Sequence, residues 1–147
     1  MREERMVRQN EALVKLARSE KLAGGQWQEV LREVTEAAAW ALETERTSVW
    51  LYGQPSLLRC ANLFERGPRR HSSGVELVAE DYPAYFEALR EEHTIAAHDA
   101  RTDARTREFT ASYLAPLGIT SMLDAPIRAG GAIAGVICHE HGGPVRR

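Results

Sequence analysis

The sequence lacks the features that define several classes of protein. Only two of its 147 residues are cysteines, Cys60 and Cys138. They lie far apart in the sequence, and small secreted domains held by disulfides contain many more cysteines. We therefore expect two buried thiols rather than a disulfide. No apolar run approaches the roughly 20 residues that span a bilayer, and the N-terminus lacks a signal-peptide core. These absences predict a cytoplasmic domain without membrane contact.

An excess of positive charge is also missing. The chain has 19 Lys and Arg against 21 Asp and Glu, a formal net charge of −2. A nucleic-acid-binding domain needs a basic face to neutralise phosphates, so we expect no nucleic-acid partner. The 44% hydrophobic and 27% charged residues are instead typical of one ordinary globular domain.

Two helices are predicted before the first strand. Residues 2–22 are mostly good helix formers, but their heptad pattern is incomplete and leaves dimerisation open. Gly24-Gly25 ends this helix. From Trp27 to Leu42, apolar residues recur at helical spacing. We therefore divide the chain into an N-terminal signalling or dimerisation helix, residues 1–24, and a domain, residues 25–147.

Within the domain, short strands alternate with turns and two more helices. The predicted elements are strands at 47–52, 57–65 and 95–98, helices at 82–92 and 106–114, and a closing hairpin at 121–137 around Gly130-Gly131. Because the strands are joined mostly by turns, the order predicts an α+β fold with a largely antiparallel sheet. Pro126 removes a ladder donor, so its strand is expected at an edge or with a bulge.

Alternation within strands groups several candidate site residues. Leu58, Cys60, Asn62 and Phe64 share one predicted face of their strand. Asp124 shares its face with Met122. If Asp124 points inward it needs a cation, a ligand donor or water, because a buried unpaired carboxylate is costly. The alternative is exposure on an edge strand beside Pro126.

Two further groups of residues carry both a chemical and a structural interpretation. Cys138-His139-Glu140-His141 contains metal-ligand types, but alternate residues point to opposite faces and leave a zinc site incomplete. His98 and Asp99 end a strand, where they either face a ligand or organise the loop. The aromatic residues of the two middle helices form either a cavity wall or ordinary core; they are Tyr82, Tyr85, Phe86, Phe109 and Tyr113.

Three segments resemble the GAF domain, a small regulatory sensor module. They are Thr47-Ser-Val-Trp-Leu51, His98-Asp-Ala-Arg-Thr-Asp103 and the hairpin from Ser121 to Ile137. The resemblance covers about residues 27–143. Together the three segments are similar to the GAF modules of bacterial sensor histidine kinases or diguanylate cyclases. The resemblance implies a central antiparallel sheet of five to six strands with terminal helices on one face. Short helices and loops would enclose a ligand cavity on the other face.

The resemblance implies a non-catalytic domain that senses a small molecule and controls a covalently linked output domain. It also implies a homodimer through the N-terminal helices. The GAF fold normally closes with a C-terminal helix, which we expect to be truncated after Gly142-Gly143-Pro144. The candidate ligand-binding residues are Cys60, Asn62, Phe64, Tyr85, Phe86, His98, Asp99, Tyr113, Met122, Asp124 and His139.

No cofactor is required by these patterns, no metal site is predicted, and neither haem nor a bilin is expected. Bilin-binding relatives use a cavity cysteine, and Cys138-His139 lies in the last strand, the wrong element for that linkage. Two alternative functions remain. One is a ligand-free dimerisation and relay module. The other is a GAF-type methionine sulfoxide reductase, which would need Cys60 and Cys138 close together.

Overall fold

The computed structural model describes residues 26–53, 56–91, 94–129 and 132–143. The elements are helix α1 (Gln26–Leu42), strands β1 (Arg46–Gly53), β2 (Leu57–Glu65), β3 (Arg70–Ser72) and β4 (Glu76–Val78), helix α2 (Pro83–Glu91), strand β5 (Ile95–Ala97), helix α3 (Ala115–Leu117), and strands β6 (Ile119–Ala129) and β7 (Ala132–Gly142). The helix predicted over residues 2–22 lies outside the described residues. None of the helices that are described is both long and apolar enough to cross a bilayer.

The strands form one antiparallel sheet in the order β3-β2-β1-β7-β6-β5, and β4 also pairs with β2. The predicted α+β class with a central antiparallel sheet is confirmed. The sheet has seven strands rather than five to six, because β3 and β4 both extend the β2 edge. Each is only three residues long, and neither is among the strands predicted from the sequence.

Helices cover the two faces of the sheet, as predicted. Leu31 of α1 packs in one apolar cluster with Val49 and Ile137. On the opposite face, Tyr85 and Phe86 of α2 belong to a larger cluster that also contains Trp50, Val136 and Leu114. Burying apolar surface on both faces drives this three-layer arrangement. The central strands therefore separate α1 from the middle segments of the chain.

A β-bulge corrects the predicted face of β2. Val49 pairs with Asn62 but Trp50 pairs with Cys60, so Ala61 is an extra residue in the ladder. An extra residue reverses which face the following side chains occupy. Cys60 therefore lies with the α2 cluster, whereas Asn62 accepts a hydrogen bond from Thr35 of α1. Strict alternation along the sequence could not show this.

The continuous helix predicted at 106–114 is instead a succession of short turns. A 3₁₀ turn at Arg107–Phe109 leads into a π turn at Thr110–Leu114 and then into α3. Gly118 ends α3 in the left-handed region, with φ of 70°. We call residues 107–117 the roof segment. The type of helical hydrogen bond therefore changes twice along this segment.

Strand β6 is an edge strand over only part of its length. It lies between β7 and β5, but β5 pairs only with Met122–Asp124. Pro126 lies beyond that pairing, so its missing N–H removes no bond to β5. A register irregularity follows between Ile127 and Arg128. The predicted edge position and bulge at the proline are thus each found locally.

Gly135 of β7 permits close packing against β1, which generates a testable prediction. A Cβ atom built at Gly135 would lie 2.2 Å from the backbone oxygen of Trp50. Gly135→Ala should therefore lower the free energy of unfolding by about 1–3 kcal/mol, since the central strands must shift. Urea denaturation measures the change. Gly67→Ala is the matched control, because a Cβ atom there meets nothing within 4 Å. Equal effects of the two substitutions would contradict the close approach.

Candidate functional site

Three ionisable side chains lie together on the sheet face below α2. Asp124 of β6 pairs with Cys138 of β7, and Glu140 follows Cys138 on the same face two residues later. All three are buried, with Asp124 at 0% exposure. We call Asp124, Cys138 and Glu140 the polar floor. Polar groups in so apolar an environment need partners, and these come from the opposite layer.

Aromatic side chains cover the polar floor. Tyr85 comes from α2, and Phe109 and Tyr113 come from the roof segment. The ring of Phe109 lies 4.9 Å from that of Tyr85 and 6.3 Å from that of Tyr113, both edge to face. We call these three side chains the aromatic roof. Their mutual packing fixes the two phenol groups above the floor.

Asp124 has one well-paired carboxylate oxygen. The Tyr85 hydroxyl donates to Oδ2 at 2.5 Å. Oδ1 makes no hydrogen bond of good geometry with any described residue. Burial raises the pKa of Asp124 to about 7, against the opposing effects of the Tyr85 hydroxyl, the Cys138 thiol and the His139 backbone N–H. Asp124 therefore takes up or releases a proton close to neutral pH.

Glu140 is paired more completely than Asp124. Its Oε1 accepts hydrogen bonds from Arg46 Nε at 3.1 Å and from the Tyr113 hydroxyl at 2.8 Å. Burial raises the pKa of Glu140, while the positive charge of Arg46 acts in the opposite direction. Arg46 also forms an ion pair with Glu65, with 3.2 Å between Nη1 and Oε2. This network links the polar floor to the first residue of β1.

The two thiols are unsuited to nucleophilic chemistry. Burial raises the pKa of Cys60 to about 12 and holds that of Cys138 well above its ordinary value. Cys60 lies on β2 and Cys138 on β7, with β1 between them. Strands lie about 4.8 Å apart, so the two Cα atoms are separated by at least about 9 Å, beyond the 7 Å limit for a disulfide.

The space between the floor and the roof is small. The cavity there has a volume of about 20 Å³. Apolar side chains of Trp50, Leu58 and Leu77 complete its wall. A cavity of this size is roomy enough for about one water molecule. Any larger ligand requires the roof to move.

A second cavity of about 100 Å³ lies on the other face of the sheet. His98, Met122 and His139 are among its lining residues. His139 follows Cys138 directly, so its side chain points away from the polar floor. The structure thus divides the predicted site residues between two cavities rather than one.

The predicted site residues fall into three groups. Tyr85, Tyr113 and Asp124 line the cavity above the polar floor, His98 and His139 line the other cavity, and Met122 lines both. The remaining predicted residues line neither cavity; they are Cys60, Asn62, Phe64, Phe86 and Asp99. Asn62 and Phe64 are instead packed beside His71, and Asp99 is exposed.

Three important members of the site, Cys138, Glu140 and Arg46, are absent from the candidate ligand-binding residues that the sequence predicts. The alternation of β7 carried a usable signal, because it groups Cys138 and Glu140 with Val136 on one face. Among the described residues, no cluster of three or more His, Cys, Asp or Glu side chains is arranged to hold a metal ion.

Solved structures with the same fold include domains that hold bilins. The phycocyanobilin-bound GAF domain of a cyanobacterial phytochrome covers 94% of this chain and 82% of its own, with a TM-score of 0.67 and 15% identity. The phycoerythrobilin-bound GAF domain from a cyanobacterial phytochrome covers 94% and 83%, with a TM-score of 0.67 and 16% identity. No curated protein sequence matches the chain.

A further similar structure comes from a kinase. The GAF domain of a two-component sensor histidine kinase from Bacillus halodurans covers 81% of this chain and 79% of its own, with a TM-score of 0.59 and 20% identity. At such identities the likeness establishes the fold.

The bilin-bound neighbours correct one expectation from the sequence. A bilin was not expected, and the cofactor prediction is contradicted because domains of this fold with TM-scores of 0.67 hold bilins. The expectation rested on a single possible covalent linkage, at Cys138. It took no account of the capacity of the fold itself to enclose a tetrapyrrole.

The sequence profile of the GAF domain matches residues 26–147, which is most of the chain. The seven-stranded antiparallel sheet, with α1 on one face and α2 with the roof segment on the other, agrees with that match. GAF domains are generally non-catalytic regulatory domains. The chain therefore belongs to the GAF domain family.

Proposed function

We propose that this chain is a non-catalytic sensor domain whose ligand binds between the polar floor and the aromatic roof. The observation that carries the proposal is the buried Asp124 carboxylate, whose Oδ1 has no well-formed hydrogen bond within the described ranges. Leaving such an acceptor unpaired costs free energy, and a ligand N–H or O–H group would recover it. The ligand class is therefore a small molecule with at least one hydrogen-bond donor.

Ligand entry would require the roof to move, which is the basis of a signal. The present cavity of about 20 Å³ holds no more than a group the size of one water molecule. The floor belongs to the two long strands β6 and β7, whereas the roof segment consists of short turns. The roof is thus the more easily displaced layer. A ligand that binds the open arrangement more tightly would shift the population towards it.

A bilin is one candidate ligand, because the fold neighbours hold bilins and a tetrapyrrole carries pyrrole N–H donors. The cavity in this structure is far smaller than a tetrapyrrole, so binding would need the aromatic roof to open widely. Asp124 would accept from a pyrrole N–H. Cys138 lies in the cavity wall, but the raised pKa of its thiol disfavours covalent attachment.

The Arg46 network offers a physical route from the roof to α1. Tyr113 of the roof and Arg46 both donate to Glu140. Arg46 opens β1 only four residues after Leu42, the last residue of α1. Displacing Tyr113 would break its hydrogen bond to Glu140 and leave Arg46 as the partner of that carboxylate. The change would be felt at the start of β1, where Arg46 lies. The position of α1 would then report ligand binding.

The finer context of the domain also belongs to the proposal. The parent would be a cytoplasmic histidine kinase or diguanylate cyclase, with the output domain linked covalently. Residues 1–24 would form a helix that joins α1 in a homodimeric bundle. Light scattering of the full chain tests the dimer, and a strict monomer at high concentration would contradict it.

Two alternatives compete with ligand sensing. The small volume of the cavity favours a ligand-free relay module, in which the roof stays closed. A methionine sulfoxide reductase needs a thiolate nucleophile and a nearby resolving thiol. The raised pKa values of Cys60 and Cys138, and the strand between them, argue against that activity.

Ligand binding can be tested with matched tryptophan substitutions on β4. Leu77 lines the cavity, whereas its neighbour Val78 is exposed. Leu77→Trp should fill the entrance and weaken binding of a probe at least about tenfold, and Val78→Trp should not. Phycocyanobilin, followed by its absorbance, and indole, followed by native mass spectrometry, are the two probes. Binding of neither probe to the wild type, or equal binding to both variants, would contradict the proposed site.

The pH dependence of stability tests the environment of Asp124. Its folded pKa of about 7 lies above the ordinary 3.8, so between these values the folded state holds a proton that the unfolded chain has released. Stability should therefore fall as pH rises through this window, by roughly 1.4 kcal/mol per pH unit. Asp124→Asn should lack this pH dependence. The free energy of unfolding of the wild type minus that of the variant should therefore decrease, or change sign, from pH 5 to pH 7, and it should stay constant above pH 7.

Urea denaturation at several pH values measures this difference. Asp99→Asn is the control, because Asp99 is exposed and its curve should follow that of the wild type. Parallel curves for the wild type and Asp124→Asn would show that Asp124 ionises normally, and the buried carboxylate would lose its proposed role.

A further inference from the structure

The second cavity lies outside the proposed sensor site. It is formed by the sheet face that carries Leu123 and His139, by β5, and by the end of α1. Its volume is about 100 Å³. Ala96 and Leu42 contribute apolar surface, and Thr44 comes from the turn after α1. The cavity is therefore largely apolar and touches the helix that would carry the signal.

His139 gives this cavity a directed polar group. The side chain is 1% exposed, and its Nδ1 lies 3.0 Å from the backbone oxygen of Leu123. A carbonyl oxygen only accepts, so Nδ1 carries the hydrogen. In the neutral ring Nε2 then bears a lone pair. No described residue forms a hydrogen bond with this buried Nε2.

The charge state of His139 agrees with a neutral acceptor. Burial lowers the pKa of His139 to about 4, so the ring is uncharged at neutral pH. Two other titratable side chains, His98 and His141, line the same cavity. His141 Nδ1 lies 3.7 Å from the exposed carboxylate of Glu45, which follows Thr44 after the end of α1. The Nε2 lone pair of the neutral His139 ring can accept a hydrogen bond from an uncharged donor.

We propose that this cavity is a second ligand site, which binds a compact, mostly apolar molecule through one N–H or O–H donor to Nε2 of His139. A cavity of about 150 Å³ holds benzene, so 100 Å³ suits a molecule of about four or five non-hydrogen atoms. A five-membered heteroaromatic ring or a short alcohol fits this description. A carboxylate does not, because it would present an acceptor to an acceptor.

The site would act directly on α1. Its lining joins Leu42, the last residue of α1, to Leu123 of β6 and to His139 of β7. A bound molecule would contact both layers and stabilise the present position of the helix end. This coupling would not depend on the aromatic roof or on Asp124, so the site stands independently of the proposed sensor cavity.

Pyrrole and furan form a matched pair of probes for the site. Both are five-membered rings of nearly equal size, but pyrrole carries an N–H donor and furan carries an oxygen acceptor in its place. Titration of the full-length, ¹⁵N-labelled chain should give saturable amide shifts at Thr44, Leu123 and His139 with pyrrole. Furan should bind at least about tenfold more weakly, the ratio expected when an acceptor is left unpaired.

Substitutions at the cavity mouth separate this site from the one on the other face. Ala96→Leu should fill the cavity and abolish the pyrrole shifts, and it avoids any change to the buried His139. Ala96 is exposed, so the variant should fold. Ala111→Leu, an exposed alanine in the roof segment, is the size-matched control and should bind as the wild type does.

Three results would overturn the proposal. Equal affinity for pyrrole and furan would remove the role of Nε2, and unchanged binding in Ala96→Leu would put the probe elsewhere. Pyrrole shifts that are lost in Leu77→Trp but retained in Ala96→Leu would assign the probe to the sensor cavity. Loss of binding in Leu77→Trp alone would leave the proposed function intact while removing this second site.

Discussion

The burial of Asp124 on strand β6 is the constraint on which the rest of the site depends. A carboxylate with no exposed surface accepts a short hydrogen bond from Tyr85, is also stabilised by the Cys138 thiol and the His139 backbone N–H, and has a pKa raised to about 7. Tyr85 belongs to α2 and packs edge to face against Phe109, so this hydrogen bond connects both the helix and the aromatic roof to one buried acid. Glu140, the other buried carboxylate of the polar floor, is instead stabilised by an ion pair with Arg46.

The two faces of β7 serve different layers of the molecule. Cys138 and Glu140 point towards the roof, whereas His139 and His141 point towards the α1 side. A strand with period two is able to present unlike chemistry to two cavities without any insertion. The network from Glu140 through Arg46 reaches the start of β1, and the second cavity reaches the end of α1. The end of α1 and the start of β1 lie next to each other in the chain, so both cavities are connected to the region through which ligand binding would be coupled to α1.

Sequence patterns predicted the elements better than they predicted the site. The bounds of β2, Leu57–Glu65, agree with prediction, because alternation and turn residues mark them clearly. The bulge at Ala61 was not predictable, since it depends on pairing with β1, and it moved Asn62 and Phe64 to the α1 side. The roof segment was predicted as one helix because its apolar spacing is helical, but that spacing does not reveal the change from 3₁₀ to π to α turns along it. Glu140 was missed because a charged residue near a strand end is usually exposed.

A double-mutant cycle on Tyr85→Phe and Asp124→Asn tests the central claim most directly. Urea denaturation of the four proteins at pH 5 and pH 8 gives the coupling free energy between the two side chains. A hydrogen bond to an ionised carboxylate is stronger than one to a neutral acid, so we expect a coupling of about 1.5–3 kcal/mol at pH 8 that decreases at pH 5. Additive effects at both pH values would contradict the account, because the buried acid would then not hold α2 in place.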